Sequence, residues 1–155
     1  MIAVTRDPID TATLDKNAID PACGAVLTFS GTVRNSHHHH RVKMLSYEAY
    51  EPMARLELEK VATECKKRWP DIRKVQVVHR FGKMEVTESS VYITVSSPHR
   101  DSGFLALRFL IDQIKKDVPL WKKEFYENGE SEWLHPEDGC SPGHLTLDED
   151  TRREQ

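Results

Sequence analysis

Lys115-Lys116-Asp117-Val118-Pro119-Leu120-Trp121-Lys122-Lys123-Glu124 is the stretch on which the reading of this chain turns. Just upstream, Phe104, Leu107, Ile111 and Ile114 recur at helical spacing and predict a helix with one buried stripe. Proline cannot continue a helix and pushes the residue before it out of the α region, so the helix ends by Val118 and an extended segment follows. Lys115 and Lys122 therefore stand on either side of a rigid corner. A lysine amine acts as a nucleophile or proton carrier only where a second cation or partial burial favours its neutral form. Leu120 and Trp121 supply apolar cover beside Lys122. Lysines at a helix end also serve simply to satisfy the last carbonyls, so the pair gains meaning only from the rest of the chain.

Working outward, Val91, Ile93 and Val95 alternate with polar residues in a strand that runs into Ser96-Ser97-Pro98-His99-Arg100-Asp101 and then the helix. That junction sets His99 and Arg100 beside a helix N-terminus, where free N–H groups favour anions. Before it, Val75 to Gly82 reads as another strand. Pro52 opens a scaffold helix whose stripe is Ala54, Leu58, Val61 and Cys65, widened by Leu56, Ala62 and Trp69, and which Pro70 ends. Lys43 to Tyr50 alternates as a strand with Leu45, Tyr47 and Ala49 on one face. Gly24 to Arg34 is a glycine-bounded β run that presents Arg34 at its end, and Gly31 within it signals a bulge or a close backbone approach. Asp10 to Asp20 holds at most a short helix. The β-α-β-β-α order with antiparallel hairpins predicts an α+β fold of helices packed on a mixed or antiparallel sheet.

Between Arg34 and the next strand lies Asn35-Ser36-His37-His38-His39-His40-Arg41, read as a polar loop. Consecutive side chains on a loop do not converge on one ion as spaced ligands do, so no metal site is expected. The chain has 155 residues, 38% of them apolar and 30% charged, with a formal charge of -3. That is the size of one domain with a real core, and it excludes a nucleic-acid binder driven by overall charge. Cys23, Cys65 and Cys140 are in no CxxC spacing and suggest neither a disulfide framework nor zinc. No signal pattern opens the chain and no apolar run approaches a membrane span, so a cytosolic location is expected. After Phe125 the sequence turns acidic and turn-rich; its last dozen residues are expected to fray and Trp133 to pack on the body.

Three groups taken together, Gly31-Thr32-Val33-Arg34-Asn35, Ser96-Ser97-Pro98-His99-Arg100 and Lys115 followed by Val118 to Glu124, closely resemble the large, catalytic subunit of molybdopterin synthase. Tyr47-Glu48-Ala49-Tyr50-Glu51-Pro52-Met53 and His79-Arg80-Phe81-Gly82 extend the resemblance over roughly residues 20 to 135. It implies a two-layer, hammerhead-like α+β fold. By this reading residues 1–20 are an N-terminal segment, 21–135 the catalytic domain and 136–155 a flexible tail.

The activity implied is transfer of two sulfurs to cyclic pyranopterin monophosphate, forming the dithiolene of molybdopterin, with no resident cofactor. The sulfur donor would be a ubiquitin-like small subunit with a C-terminal Gly-Gly thiocarboxylate, docked at each end of a central homodimer to make a heterotetramer. Carried over by position, Lys115 and Lys122 are the expected catalytic lysines, and Arg34, His99, Arg100, Lys123 and Glu124 the expected substrate-binding residues. These residue types suit the chemistry, because a phosphate needs guanidinium groups, and acyl transfer needs a base, an acid and a cation near the developing oxyanion. The competing readings are an adaptor that binds the ubiquitin-like partner without turnover, and a histidine-rich metal carrier. The histidine run departs from the family's usual glycine-containing loop.

Overall fold

The computed structural model describes residues 1–134. The expected tail at 136–155, and Cys140 with it, lies outside the described residues.

Strand β1 (Ile2–Thr5) leads to helix α1 (Thr11–Ala18). The Asp10 carboxylate caps that helix, accepting from the Thr13 backbone N–H at 3.1 Å and from its hydroxyl at 2.7 Å. Strands β2 (Ala25–Thr32), β3 (Ser36–His37) and β4 (His40–Ala49) follow, then helix α2 (Glu51–Arg68) with Pro52 in its first turn. Next come β5 (Lys74–Arg80), β6 (Gly82–Glu85), β7 (Ser89–Ser97), helix α3 (Arg100–Asp117), β8 (Leu120–Tyr126) and β9 (Ser131–Leu134).

These strands form two sheets. The larger by residues is four-stranded, in the order β1-β5-β7-β2, with β1 parallel to β5 and the other pairs antiparallel. The smaller, five-stranded, runs β3-β4-β8-β9, with β6 also paired to β4. The α+β class expected from element order is the fold observed.

The main core lies between the larger sheet and helices α2 and α3, where Leu58, Val77, Ile93, Val95, Leu110 and Ile114 are almost wholly buried. Helix α1 covers the other face through Leu14, against Val78 and Tyr92. The sheet therefore has helices on both faces. Residues 1–20 likewise pack into the body, since β1 extends the sheet and α1 closes it. A four-residue edge strand is too short to show a periodic signal in the sequence.

Buried polar groups on this sheet have partners. The Gln76 amide donates to the Leu14 carbonyl at 2.8 Å and the Thr94 hydroxyl at 2.7 Å, and Ser96 donates to the Ala18 carbonyl.

The expected stripe on α3 needs correction. Gly103, Ala106, Leu110, Ile111 and Ile114 are the buried residues, whereas Phe104 is 62% exposed and Leu107 only partly covered. The helix begins at Arg100 and approaches β2 so closely that a Cβ on Gly103 would collide with Leu27 and come within 2.7 Å of the Ser97 hydroxyl. Small residues make the seam, so the large ones beside them turn outward. Leu56 on α2 is exposed for a similar reason: it lies off the arc set by Ala54, Leu58 and Val61. The bulge expected at Gly31 is present, with the β2–β7 register shifting between Gly31 and Thr32. There a Cβ would stand 2.7 Å from Val91.

Candidate active site

The corner read from the sequence is built as expected around Pro119. Val118 caps α3 in an extended conformation, its N–H donating to the Ile114 carbonyl at 3.2 Å, and the chain enters β8 one residue past the proline. Lys115 sits on the exposed last turn of the helix, and Lys122 on the first half of the strand. β8 pairs with β4, setting Tyr47 beside Lys122 and Leu45 beside Glu124. β9 on the other side places Leu134 and Glu132 opposite the same two residues. Period-two alternation then puts Lys122, Glu124 and Tyr126 on one face and Trp121, Lys123 and Phe125 on the other.

A pocket of about 300 Å³ opens between this face, the end of α3 and the edge of the larger sheet. Its cations are Arg34, from the segment after β2, Lys115 and Lys122. Phe29, Tyr47, Val91, Ile111, Ile114, Val118, Leu120 and Leu134 form apolar walls. No carboxylate among the described residues lines it, so the pocket is a cationic, largely apolar slot suited to a flat anion.

Two groups in or behind the pocket carry no signal in local sequence. His79 lines the pocket yet is 4% exposed; its Nδ1 donates to the Arg80 carbonyl at 3.0 Å, leaving Nε2 as the acceptor. Burial pushes this imidazole down to about 4, so it is neutral at physiological pH. Tyr47 meets it edge to face at 5.1 Å. Behind Lys122, the Glu124 carboxylate is 3% exposed, accepts from Lys122 Nζ at 2.8 Å, and faces Nδ1 of His37 at 3.1 Å. Burial, and then the charge of Glu124, push the Tyr126 hydroxyl up to about 12, so it stays a neutral donor, here to Glu132 at 3.2 Å.

The remaining residues singled out from sequence lie elsewhere. His99 is the exposed N-cap of α3, and Arg100 opens that helix with its side chain in solvent, 3.9 Å from Asp101. Fifteen residues of helix separate Arg100 from Lys115, roughly 22 Å at the α-helical rise, so within one chain they do not share a pocket. Lys123 faces away from the pocket, with its Nζ 5.4 Å from the Phe125 and Trp133 rings. Glu124 supports Lys122 without lining the cavity. Trp133, expected to pack on the body, remains 46% exposed and touches it through Lys123. The loop expected over residues 35–41 is in fact a tight hairpin that buries His37. No cluster of three metal-ligating side chains occurs among the described residues.

Residues 4–117 match the family described as MoaE protein. The molybdopterin synthase catalytic subunit 1 of Aedes aegypti is 42% identical over 134 residues, covering 85% of this chain and 86% of the relative. The molybdopterin synthase catalytic subunit of Drosophila erecta is 39% identical over 142 residues. That alignment takes in 91% of this chain but 39% of the longer fly protein, so the chain spans about two fifths of such relatives. Among solved structures, molybdopterin synthase from Staphylococcus aureus superposes with a TM-score of 0.81 at 36% identity, covering 86% of this chain and 96% of the other. By the family match, the relatives and the shared fold, this chain belongs to the MoaE family, that of the catalytic subunit of molybdopterin synthase.

Proposed function

We propose that this chain is the catalytic subunit of a molybdopterin synthase, converting cyclic pyranopterin monophosphate to the dithiolene pterin with sulfur from a thiocarboxylated small subunit. The observation that carries the reading is the convergence of Arg34, Lys115 and Lys122, from three separate elements, on a pocket with apolar walls and no acid in its lining. The apolar walls suit a pterin ring and the cations its phosphate. The relatives' designation as a catalytic subunit presupposes a companion subunit.

In each of two rounds the thiocarboxylate sulfur bonds to a substrate carbon as a C–O bond of the substrate breaks. Water then cleaves the sulfur–acyl bond, leaving the sulfur on the substrate and releasing the partner's terminus as a carboxylate. Lys115, solvent-accessible at the pocket rim, serves as proton carrier or transient acyl acceptor. Lys122, held by Glu124, places a fixed cation where oxyanion charge develops. Arg34 grips the phosphate. His79, neutral and donating through Nδ1, offers Nε2 as an acceptor for a ring N–H. His99 and Arg100 reach a pocket only if a second copy of the chain presents them, as the expected homodimer allows. No helix of the described residues is long and apolar enough to cross a membrane. A cytosolic setting suits the reaction.

The test is to mix the purified chain with a thiocarboxylated small subunit and cyclic pyranopterin monophosphate, and to follow the dithiolene pterin by fluorescence after oxidation. Product formation supports the proposal. A bound small subunit with no product would replace it with the adaptor reading.

A further inference from the structure

The four consecutive histidines fold into a tight hairpin, and one of them reaches the carboxylate that holds Lys122. His38 and His39 form the two-residue turn of the β3–β4 hairpin, with φ of 42° and 72°. Positive φ at both central positions gives a turn whose twist matches its strands, at a cost when neither residue is glycine. The turn sets His37 opposite His40 and directs the His37 ring inward, where it is 9% exposed and 3.1 Å from Glu124 Oε2. The other carboxylate oxygen is held by Lys122 at 2.8 Å.

A buried carboxylate is costly unless its charge is compensated and its lone pairs are used. His37 Nδ1 stands 3.1 Å from Oε2, an oxygen with no hydrogen bond among the described residues. Glu124 is thus a single buried carboxylate between two partners, the Lys122 ammonium at 2.8 Å and the His37 imidazole at 3.1 Å.

We propose that His37 is a positioning residue for Lys122 that acts through Glu124, sharing the carboxylate when protonated and leaving it wholly to Lys122 when neutral. As pH falls and His37 takes a proton, Glu124 divides its charge and the clamp on Lys122 loosens, freeing the ammonium toward the pocket it lines. As pH rises, Lys122 is drawn back onto Glu124. The other titratable or charged groups on the surrounding strands are His38, His40 and Arg41 of the hairpin, Lys43, Tyr47 and Glu48 further along β4, Lys123, Tyr126 and Glu127 along and just beyond β8, Glu132 on β9, and Lys83 and Glu85 on β6. His40 stacks on Tyr126 at 4.9 Å, Tyr126 donates to Glu132, and Arg41 pairs with Glu127 at the surface. Of these hairpin and β8 side chains, His37 and Lys122 are the ones ion-paired to Glu124.

The inference rests on Lys122 belonging to the reactive site, but its first test does not need turnover. The His37 ring is titrated by proton–nitrogen NMR in the wild-type chain, in Lys122→Met and in Glu124→Gln, with the amide spectrum verifying the fold of each. Removing the competing cation is expected to raise the His37 midpoint by at least about half a pH unit, and removing the carboxylate to lower it by a similar amount. A midpoint unmoved in Lys122→Met overturns the proposal, even if Glu124→Gln fails to fold.

In the sulfur-transfer assay, His37→Asn should flatten the pH dependence of the rate that the wild-type chain shows, while retaining turnover. A profile superimposable on wild type also overturns it. If the wild-type chain makes no product but the NMR midpoints move, the synthase reading fails and the coupling stands.

Discussion

The two sheets bury polar groups in different ways. In the larger sheet, Gln76, Thr94 and Ser96 are neutral and bonded to neighbouring strands or to α1, and the buried cation, Arg80, is paired with Glu88 at 2.9 Å. In the smaller sheet His37 is buried beside a carboxylate, Glu124, one of whose oxygens has no hydrogen bond among the described residues. A satisfied neutral network fixes a structure. A buried charge divided between a lysine and a histidine is poorly suited to that and well suited to holding a reactive cation in place. The larger sheet with α2 and α3 therefore makes the fold, and the smaller sheet, meeting it at the Pro119 corner and the pocket edge, supplies Lys122, to which we assign a part in the chemistry.

The sharpest way to break this division is Lys122→Ala. The rate of dithiolene formation per folded molecule should fall about 100-fold or more, and the unfolding midpoint should fall too, because the buried Glu124 carboxylate loses its fixed cation. Rate assays beside thermal melts check it, and a wild-type rate per folded molecule would mean that Lys122 is structural. Leu58→Ala, wholly buried between α2 and the larger sheet, should do the reverse. About 2–5 kcal/mol of stability is expected to go, read from urea midpoints, with the rate per folded molecule retained.

His79 lies between the two regions and gives a pH test. Its ordinary value is 6.5 and its folded value about 4, so between those limits the unfolded chain binds a proton that the folded chain does not. Stability should fall as pH drops through that window, by on the order of 3 kcal/mol, with no contribution above it. In His79→Phe this part of the slope should vanish, and urea midpoints taken above and within that window would show it. Smaller still, Gly103→Ala should cost about 1–3 kcal/mol, because its new methyl meets Leu27 and Ser97 where α3 lies on β2.

How much of this is legible in the sequence follows the same boundary. Strands β2, β5 and β7 of the larger sheet, α2, the bulge at Gly31 and the helix end before Pro119 all come from periodicity and from the backbone restrictions of proline and glycine, which act locally. The α3 stripe is misread from sequence because Gly103 and Ala106 carry no hydrophobic signal, although their smallness decides which face touches β2. The site is legible as residue types but not as an arrangement. Arg34, Lys115 and Lys122 meet in the pocket, whereas His99 and Arg100 stand a helix length away and Lys123 faces outward. His37 reads as part of a polar loop, because nothing local announces that a His-His turn will bury the preceding histidine against Glu124. Pairings between β4, β8 and β9 create that contact, and those are long-range.

The most direct test sets Lys115→Ala beside Leu58→Ala in one reconstituted sulfur-transfer assay, counting product per folded molecule. Lys115→Ala, on the exposed last turn of α3, should fold like wild type and make almost no dithiolene pterin, while Leu58→Ala is less stable but turns over. A folded Lys115→Ala chain working at the wild-type rate would contradict the assignment of the chemistry to this pocket.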